Sequence, residues 1–563
     1  MLKFFADGGF MVEAIAHAVM SENPNVEFEK TLDFGRYSAR LDAFERTATH
    51  IVLTEIKAKG VENPGTDQFF TKRDRQVSSD WRSYMLDIAF QVMVAEANFP
   101  GVLVVPQLCL VNKNKATGID GIYANIGLIK DHGSRDFSLP SAVYTGDAEA
   151  LRADHFLEFI NVRECVDLLM AEVKEQSALM LDFLDGKERG MKPLLGTKPC
   201  KTCEYRDVDR GNNGFSECWG NTPPRGSHII DLHRAGSGSA GLKGEIDRRI
   251  RKKDLALTEI PDVFLEDGGT YGPPRRNQVA AARSGKEIVG PGLAGALSGL
   301  TYPLHFIDFE TSRIPVPYLP GMKPYETVAF QFSCHTLESP DSTELIHREW
   351  LNLTDVYPND QFLQELHRAI GSEGTVLVWS PYELSVLRDV RRQLSERGML
   401  SAEIGQWLET IIEPDDGITK KSANSRVVDL LKVSAAHYCH PLMNGSHSIK
   451  KVLDAIWSDA PHLWNDNWFA NYYKTDESGN AIDPYKTLSS PNPEYDLDAD
   501  EESEDFGVSD GVGAMRAYQD MLFGLHRNDP AIRDQMRDSL LRYCGLDTAA
   551  MVMIWKHWNK VSA

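Results

Sequence analysis

A short acidic strand is the feature that most constrains how this chain folds. Residues 305–311 read His-Phe-Ile-Asp-Phe-Glu-Thr, and their alternation of apolar and acidic side chains predicts a buried strand. Successive side chains of a strand point to opposite faces, so we expect Asp308 and Glu310 close together on one face. Two carboxylates held this close repel each other unless a cation lies between them. The alternative is an edge strand with a solvated acidic face.

Two stretches further along favour a cation site. Residues 540–548 open a helical pattern in which Tyr543 and Asp547 are four residues apart and so share one face. Between them and the acidic strand, an apolar run at 376–379 leads into Glu383 and a predicted helix.

This order of motifs resembles the tyrosine subclass of the DEDD exonuclease superfamily. The resemblance implies an RNase H-like 3′–5′ exonuclease domain, a mixed sheet flanked by helices, in which four carboxylates hold two Mg²⁺ or Mn²⁺ ions. It assigns the carboxylates to Asp308, Glu310, Glu383 and Asp547, and the positioning of water to Tyr543. The middle motif of the family usually carries Asp, one methylene shorter than Glu383.

A second acidic strand lies near the N-terminus. Glu55 and Lys57 share one face of an apolar run at 51–59, and Asp42 lies in the preceding strand-like run at 37–44. An acid followed by Glu-x-Lys resembles the PD-(D/E)XK nucleases, whose restriction-endonuclease-like domain is also α/β. In that chemistry the carboxylates bind Mg²⁺ or Mn²⁺ and the lysine orients or deprotonates water. The alternative is an exposed strand with a cross-charge pair.

Two predicted helices flank this motif. The helix over 80–91 carries one polar stripe, formed by Tyr84, Asp87 and Gln91. The RecB-like branch of the superfamily has a glutamine-bearing helix beside its metal site, and this helix is similar to it. On the helix predicted over 10–20, Glu13 matches the acid or histidine of that branch, and His17 is the rival for the role.

The chain has eight cysteines, too few for its length to suggest a disulfide scaffold. Cys200, Cys203 and Cys218 resemble the trio that closes RecB-like and CRISPR-adaptation nucleases and holds a [4Fe–4S] cluster with an N-terminal cysteine. That N-terminal cysteine is missing here, so we expect either that the start is truncated or that another group completes the cluster, with Cys109 and Cys165 as candidates. Outside the trio, five thiols in apolar or helical context are expected to be core residues or inert: Cys109, Cys165, Cys334, Cys439 and Cys544.

Zinc is the competing metal for the cysteine trio. A Cys-x-x-Cys pair suits zinc as well as iron. The fourth zinc ligand would then be His228 or His233.

Other polar clusters lie outside these motifs. A basic run at 248–253 and the pair Arg275 and Arg276 are either phosphate contacts or a solvated helix face. Asp429 follows an apolar run and is an alternate ligand or a cap. A histidine-rich loop is either a second metal site or a polar grip for substrate phosphate, and its members are His437, His440, His447 and Lys450.

Length and charge bound the organisation of the chain. Its 563 residues are too many for one core, and we expect a RecB-like domain over 1–220, a Gly/Pro/Arg-rich connector over 221–300 and the exonuclease domain over 301–563. A stretch at about 465–510 contains an acidic run and is expected to be a solvated insertion. The net charge of −22 argues against a protein that coats nucleic acid by bulk electrostatics.

Taken whole, the chain resembles bacterial proteins that join a RecB-like nuclease, a cysteine-rich connector and a DEDD exonuclease domain. The resemblance implies a metal-dependent nuclease in repair, recombination or defence against foreign DNA, with DNA favoured over RNA. The alternative is a nucleic-acid-binding or scaffold protein with decayed nuclease sites. No apolar run is long enough to span a bilayer, and the polar N-terminus does not resemble a signal peptide, so we expect a cytoplasmic protein.

Overall fold

The computed structural model describes residues 2–129, 141–187, 195–206, 214–220, 222–224, 226–266, 269–413, 425–488, 508, 510–524 and 526–563. Two five-stranded sheets of mixed direction, each covered by helices, define a first and a second half of the molecule. The fold class is therefore mixed α/β, as the sequence predicts. None of the helices in these ranges combines the length and apolarity needed to cross a bilayer.

The first half is built on the sheet β1-β2-β3-β4-β7, in which only β3 and β4 run parallel. Its elements in chain order are α1 (Leu2–Met20), β1 (Val26–Phe34), β2 (Tyr37–Arg46), β3 (His50–Val61), α2 (Arg82–Asn98), β4 (Leu103–Asn112), β5 (Ile126–Ile129), β6 (Ser141–Tyr144), α3 (Ala148–Ala153), β7 (Leu157–Asn161) and α4 (Arg163–Leu184). One apolar cluster packs α2 and α4 against one face of the sheet, and a second includes α1.

A smaller unit of short helices follows. Its elements are α5 (Thr197–Lys201), α6 (Gly214–Trp219), α7 (Ala240–Lys252), α8 (Gly272–Ser284), β8 (Ile288–Val289) and α9 (Leu293–Ser298). The buried pair of Arg206 and Asp231, with nitrogen to oxygen distances of 2.7 and 2.8 Å, ties its loops together.

The basic residues of this unit are only partly available to a ligand. Arg249 is buried and donates to the carbonyl of Glu259 at 2.8 Å, and Arg248 pairs with Glu245. Arg275 is fully buried and donates to the backbone carbonyl of His233 at 3.0 Å. The expectation of a phosphate contact is therefore wrong for Arg249 and Arg275, because their guanidinium groups satisfy buried carbonyls.

The second half is built on the sheet β11-β10-β9-β12-β13. Strands β9, β10 and β11 are antiparallel, whereas β9, β12 and β13 run parallel. The elements are β9 (Leu304–Ser312), β10 (Val328–Leu337), β11 (Ile346–Leu351), α10 (Asn359–Ile370), β12 (Thr375–Val378), α11 (Tyr382–Glu396), α12 (Ala402–Leu408), β13 (Val427–Asp429), α13 (Leu430–His437), β14 (Tyr438–Cys439), α14 (Ile449–Trp457), α15 (Pro461–Trp464), α16 (Gly511–Leu522) and α17 (Pro530–Ser562).

The alternation of side chains along β9 sets the positions of its acids. Ile307 and Phe309 pack into the apolar cluster that includes α10 and α11. Leu304 and Phe306 pack on the other side, in the cluster that includes α17. Side chains two residues apart share a face, so Asp308 and Glu310 lie on the α17 side of the sheet.

The segment from 465 to 488 corrects one expectation. It is not a solvated insertion, because Phe469 is fully buried, Tyr485 is buried, and the indole of Trp468 donates to the carbonyl of Thr343 at 3.0 Å. Its apolar side chains pack on the α17 side of the second sheet without any regular periodicity. The acidic run at 494–505 lies outside the described residues.

One connection joins the two halves close to the acidic strand. Residues 313–327 link β9 to β10, and Val316 packs into the apolar cluster of the first half. Within this segment Gly321 donates its N–H to the carbonyl of Thr117 at 2.7 Å, and the Tyr325 hydroxyl donates to the carbonyl of Ala58. The segment, named the bridging loop below, therefore contacts β3 beside Lys57.

Candidate functional site

Four acidic side chains meet in the second half. Strand β9 supplies Asp308 and Glu310, the first turn of α11 supplies Glu383, and α17 supplies Asp547. Glu310, Glu383 and Asp547 are only 7, 4 and 6% exposed, whereas Asp308 is partly exposed. The structure thus brings together all four carboxylates named from the sequence, although they span more than two hundred residues.

These carboxylates strongly disfavour one another's ionisation. Burial, followed by repulsion from Asp547, raises the pKa of Asp308 and of Glu310 well above the usual range. Burial raises the pKa of Glu383 to about 8 and that of Asp547 to about 6. Glu383 Oε2 is buried and accepts no hydrogen bond from any residue that the structure describes. Without a cation, the cluster can stay buried only by holding protons.

A lysine and two tyrosines complete this cluster. The Tyr485 hydroxyl donates to Asp547 Oδ1 at 2.5 Å. Lys450 Nζ lies 5.2 and 5.0 Å from the ring centroids of Tyr485 and Tyr543. Its positive charge opposes the rise in the pKa of Glu310 and of Asp547 that burial causes. Sequence reasoning missed Tyr485, since the stretch around it has no periodicity, and placed Lys450 only in a polar loop.

Cys544 also borders the cluster. Its Sγ lies 3.7 Å from both the carbonyl oxygen and Oδ2 of Asp308. One donor atom each from Asp308, Glu310 and Cys544 lie within 4.8 Å of one another. Burial raises the pKa of the thiol well above its usual range, so the sulfur stays protonated there. The thiol is buried, as expected, but it lies beside the carboxylates instead of in an apolar core.

A second set of acids meets in the first half. The antiparallel pairing of β2 with β3 brings Asp42 beside Glu55, and Asp42 Oδ2 accepts the Ile56 N–H at 2.7 Å. Glu55 Oε2 accepts from Gln91 Nε2 at 2.6 Å, while its other oxygen contacts Lys57 Nζ. The structure therefore places the three residues of the predicted motif and the predicted glutamine together.

The charges of this set are partly balanced. Burial and repulsion from Asp42 raise the pKa of Glu55 to about 7, although Lys57 opposes the shift. Burial alone would lower the pKa of Lys57, but Glu55 and Asp87 outweigh burial and raise it above its usual range. Asp87 is exposed and lies 3.4 Å from Lys57, whereas the Tyr84 ring faces Lys59 at 5.3 Å and does not contact these carboxylates.

Glu13 lies closer to this set than its rival His17. Burial and a hydrogen bond with Glu29 raise the pKa of Glu13 to about 7, and Asp42 adds to the repulsion. His17 packs its ring 4.0 Å from that of Phe28, and its Nε2 lies 3.8 Å from Glu13. Glu13, His17 and Glu29 each offer one donor atom within 4.8 Å of the others, so His17 stays a rival for the role. Sequence reasoning missed Glu29. This residue lies opposite Asp42 on the neighbouring strand β1, and its φ is positive, at 55°. The amino-acid sequence around Glu29 does not indicate this left-handed backbone conformation.

The cysteine trio is not assembled as a compact site. Cys200 and Cys203 are partly buried and Cys218 is exposed. Among the described residues, the three do not form a group of donor atoms within 4.8 Å of one another. Thiolates on one zinc ion would be closer than this, since Zn–S bonds are about 2.3 Å. An iron–sulfur cluster, which is larger, stays a prediction.

The structure corrects the assignment of the two cysteines as a fourth ligand, whereas His228 stays an alternative. Cys109 and Cys165 are buried in the two apolar cores around the first sheet. His228 lies edge-on to Trp219, with ring centroids 4.8 Å apart, and its Nδ1 accepts from the Ile230 N–H. Its buried Nε2 has no hydrogen-bond partner among the described residues. His233 contacts the carbonyl of Gly445 through Nδ1 at 3.1 Å.

The histidine-rich loop also fails to converge on a metal site. His447 Nδ1 lies 2.9 Å from Ser434 Oγ, and His440 Nδ1 accepts from the backbone of Leu442 at 3.2 Å. Asp429 accepts the N–H of Lys432 at 3.3 Å and caps α13. The structure thus supports the capping alternative for Asp429, although its charge also raises the pKa of Glu383.

Comparison with known proteins adds one finding. A family model described as a domain of unknown function (DUF2779) matches residues 305–448. The match covers β9 and Glu383 but neither Asp547 nor the first half of the molecule. No curated protein and no solved structure matches the chain.

Proposed function

We propose that the protein is a metal-dependent nuclease whose principal centre is the carboxylate cluster of the second half. The observation that carries the proposal is the meeting of Asp308, Glu310, Glu383 and Asp547 in a buried site where their charges repel. The favoured substrate is DNA, in repair, recombination or defence against foreign DNA, which rests on the resemblance in the sequence.

The topology around the cluster supports an RNase H-like assignment. A central strand carries two of the acids, its neighbours on one side are antiparallel, and those on the other side are parallel. Glu383 follows the parallel neighbour β12, and a long helix, α17, crosses β9 on the acidic face. These are the positions that the DEDD resemblance predicts for the three motifs.

The donor set fits hard divalent cations. Carboxylate oxygens are the ligands that Mg²⁺ and Mn²⁺ prefer. Glu383 Oε2, which accepts no hydrogen bond from the described residues, fits a cation ligand. Asp308, Glu310, Glu383 and Asp547 would hold the ions, which when bound lower the pKa of water and offset phosphate charge.

The protein's own residues would orient the substrate. Lys450 lies near Glu310 and Asp547, where its ammonium group would contact a non-bridging phosphate oxygen. Tyr543 would hold the attacking water, and Tyr485 keeps Asp547 in place through its hydrogen bond. Tyr485 is thus a positioning residue.

The first half supports a second cleavage centre of the PD-(D/E)XK type. Asp42 and Glu55 would hold the ion there, and Lys57 would orient water. Gln91 fixes the orientation of the Glu55 carboxylate through its 2.6 Å hydrogen bond. Glu13 is adjacent and available as a further acid.

Release of labelled nucleotides from single-stranded DNA and RNA tests the proposal. We expect release with Mn²⁺ and none with EDTA. Binding without release by the wild-type protein, under all metal conditions, would favour the scaffold alternative. Iron and zinc analysis of anaerobically purified protein tests the predicted cysteine centre separately.

A further inference from the structure

A polar cleft lies between the two halves and belongs to neither centre. Its volume is about 500 Å³. The first half contributes Glu62, Lys113 and Asn114, and the bridging loop contributes Arg313 and residues 323–327. The exposed side of α11 completes the lining with Asp389, Arg392, Gln393 and Glu396.

The two ends of the cleft approach the two centres. Arg313 lies three residues beyond Glu310, or roughly 10 Å at about 3.3 Å per strand residue. On the opposite side, the Tyr325 hydroxyl donates to the carbonyl of Ala58. Ala58 adjoins Lys57 on β3. The cleft therefore occupies the space that a ligand contacting both centres would cross.

Three of the four cations of the cleft form ordinary surface ion pairs, whereas Arg313 pairs closely with Asp389. Lys323 pairs with Glu396 at 3.0 Å, and Arg392 lies 3.2 Å from the same carboxylate. Lys113 pairs with Glu62 at 3.2 Å. Ion pairs between exposed side chains are weak, so a phosphate can compete with the carboxylate for each of these cations.

An exposed aromatic ring lies between the cleft and the carboxylate cluster. Tyr382 is 44% exposed, and its hydroxyl is 2.5 Å from Thr311 Oγ1, which fixes the ring. It directly precedes Glu383, and the charge of Arg313 acts on it. The cleft is lined by four cations and four carboxylates. A fixed ring beside surface cations binds single-stranded nucleic acid by base stacking and phosphate contacts.

We propose that this cleft binds one strand of nucleic acid whose end lies in the carboxylate cluster. A base would stack on Tyr382, and the phosphates would follow Arg313, the neighbouring pair Arg392 and Lys323, and then Lys113 toward the centre at Lys57. The inference rests on the proposed nuclease function and adds to it a path for the substrate: one strand contacts both centres.

Binding of a fluorescent single-stranded oligonucleotide in EDTA tests the cleft without catalysis. The variant Lys323→Gln with Arg392→Gln should raise Kd at least tenfold. The slope of log K against log salt should fall by about 1.4, or roughly 0.7 for each lost phosphate contact. The matched control is Lys187→Gln with Arg368→Gln, which removes two exposed, paired cations outside the cleft and should leave binding unchanged.

Equal binding by the cleft variant and the control would overturn the inference. A crosslinking measurement on the wild-type protein tests the path without a variant that could misfold. An oligonucleotide with photoreactive bases near one end should label peptides containing Lys113 or Tyr325. Labels confined to other peptides would refute the path, as would equally tight binding of a mononucleotide. Failure of the nuclease proposal would look different, because binding in EDTA would persist without release in Mn²⁺.

Discussion

The two carboxylate centres differ in how far the protein balances their charge. In the first half, Glu55 has Lys57 on one oxygen and Gln91 on the other. In the second half, four carboxylates face one nearby lysine, and Glu383 Oε2 accepts no hydrogen bond from the described residues. The second centre therefore depends more strongly on an added cation.

The two centres nevertheless share one structural feature, an irregularity in the strand pairing. In each sheet the strand register shifts beside an acid of the carboxylate centre: between Ile56 and Gly60 on β3, and between Ala329 and Gln331 opposite Glu310. Such irregularities redirect side chains and open the ladder. The comparison shows that similar strand geometry serves sites of quite different charge balance.

Asp308→Asn should give the largest effect. It removes a charge from the cluster at nearly constant volume, so we expect end-dependent nucleotide release in Mn²⁺ to fall about 10³-fold or more. Asp534→Asn, at an exposed position of α17, is the matched control and should release nucleotides normally. Wild-type release by Asp308→Asn would show that this cluster is not the exonuclease centre.

Lys57→Ala tests the centre of the first half in the same way. Internal cleavage due to the first centre should be lost, because no other residue of the motif can orient water, whereas end-dependent release should continue. Lys30→Ala, which breaks an ordinary surface pair with Glu27, is the control. Simultaneous loss of both activities would instead indicate that the centres act as one.

Tyr485→Phe should be milder. It removes the hydroxyl that donates to Asp547 but no carboxylate, so we expect a decrease in kcat of about tenfold with little change in KM. The pH–rate profile should shift as well, since the pKa of Asp547 loses the bond that lowers it. A change in melting temperature without a change in the profile would assign Tyr485 a purely structural role.

The pH dependence of stability in EDTA should be the smallest effect. Burial raises the pKa of Glu383 to about 8 and of Asp547 to about 6, so the folded protein binds more protons than the unfolded chain. That stabilisation is complete below the unfolded pKa, about 4.5, and is lost as pH rises through 8. We expect the melting temperature to fall between pH 5.5 and 8.5.

Two glutamine variants test whether this pH dependence differs between the two centres. Glu383→Gln should flatten the slope more than Glu55→Gln, because Lys57 already compensates the charge of Glu55. Mn²⁺ at pH 8 should raise the melting temperature of the wild-type protein. Equal slopes for both variants would contradict the difference in charge balance.

The sequence predicts those parts of the site that obey a local periodicity. Alternation along β9 placed Asp308 and Glu310 on one face, and a four-residue spacing did the same for Tyr543 and Asp547. Tyr485 escaped prediction because tertiary packing alone positions it. The start of α17 at Pro530, ten residues before the predicted helical pattern, was also missed, although Asp529 and Pro530 form a local start signal of a capping acid followed by proline.

Long-range packing also decided the failed assignments. Whether Cys109 is a ligand or a core residue depends on which side of β4 faces a core, and its surroundings come from distant segments such as α1 and the bridging loop. The same holds for Arg249 and Arg275, whose carbonyl partners lie in loops. A charged residue in a sequence does not reveal whether its partner is a phosphate or a backbone oxygen.

The late position of Asp547 has a consequence for biosynthesis. Ribosomes add about 5–20 residues per second, so this residue is synthesised roughly 10–30 s after Glu383. During that interval the nascent chain already contains Asp308, Glu310 and Glu383 but lacks the helix that covers them. A ribosome-bound intermediate is therefore expected to have an incomplete second carboxylate cluster until α17 folds over β9.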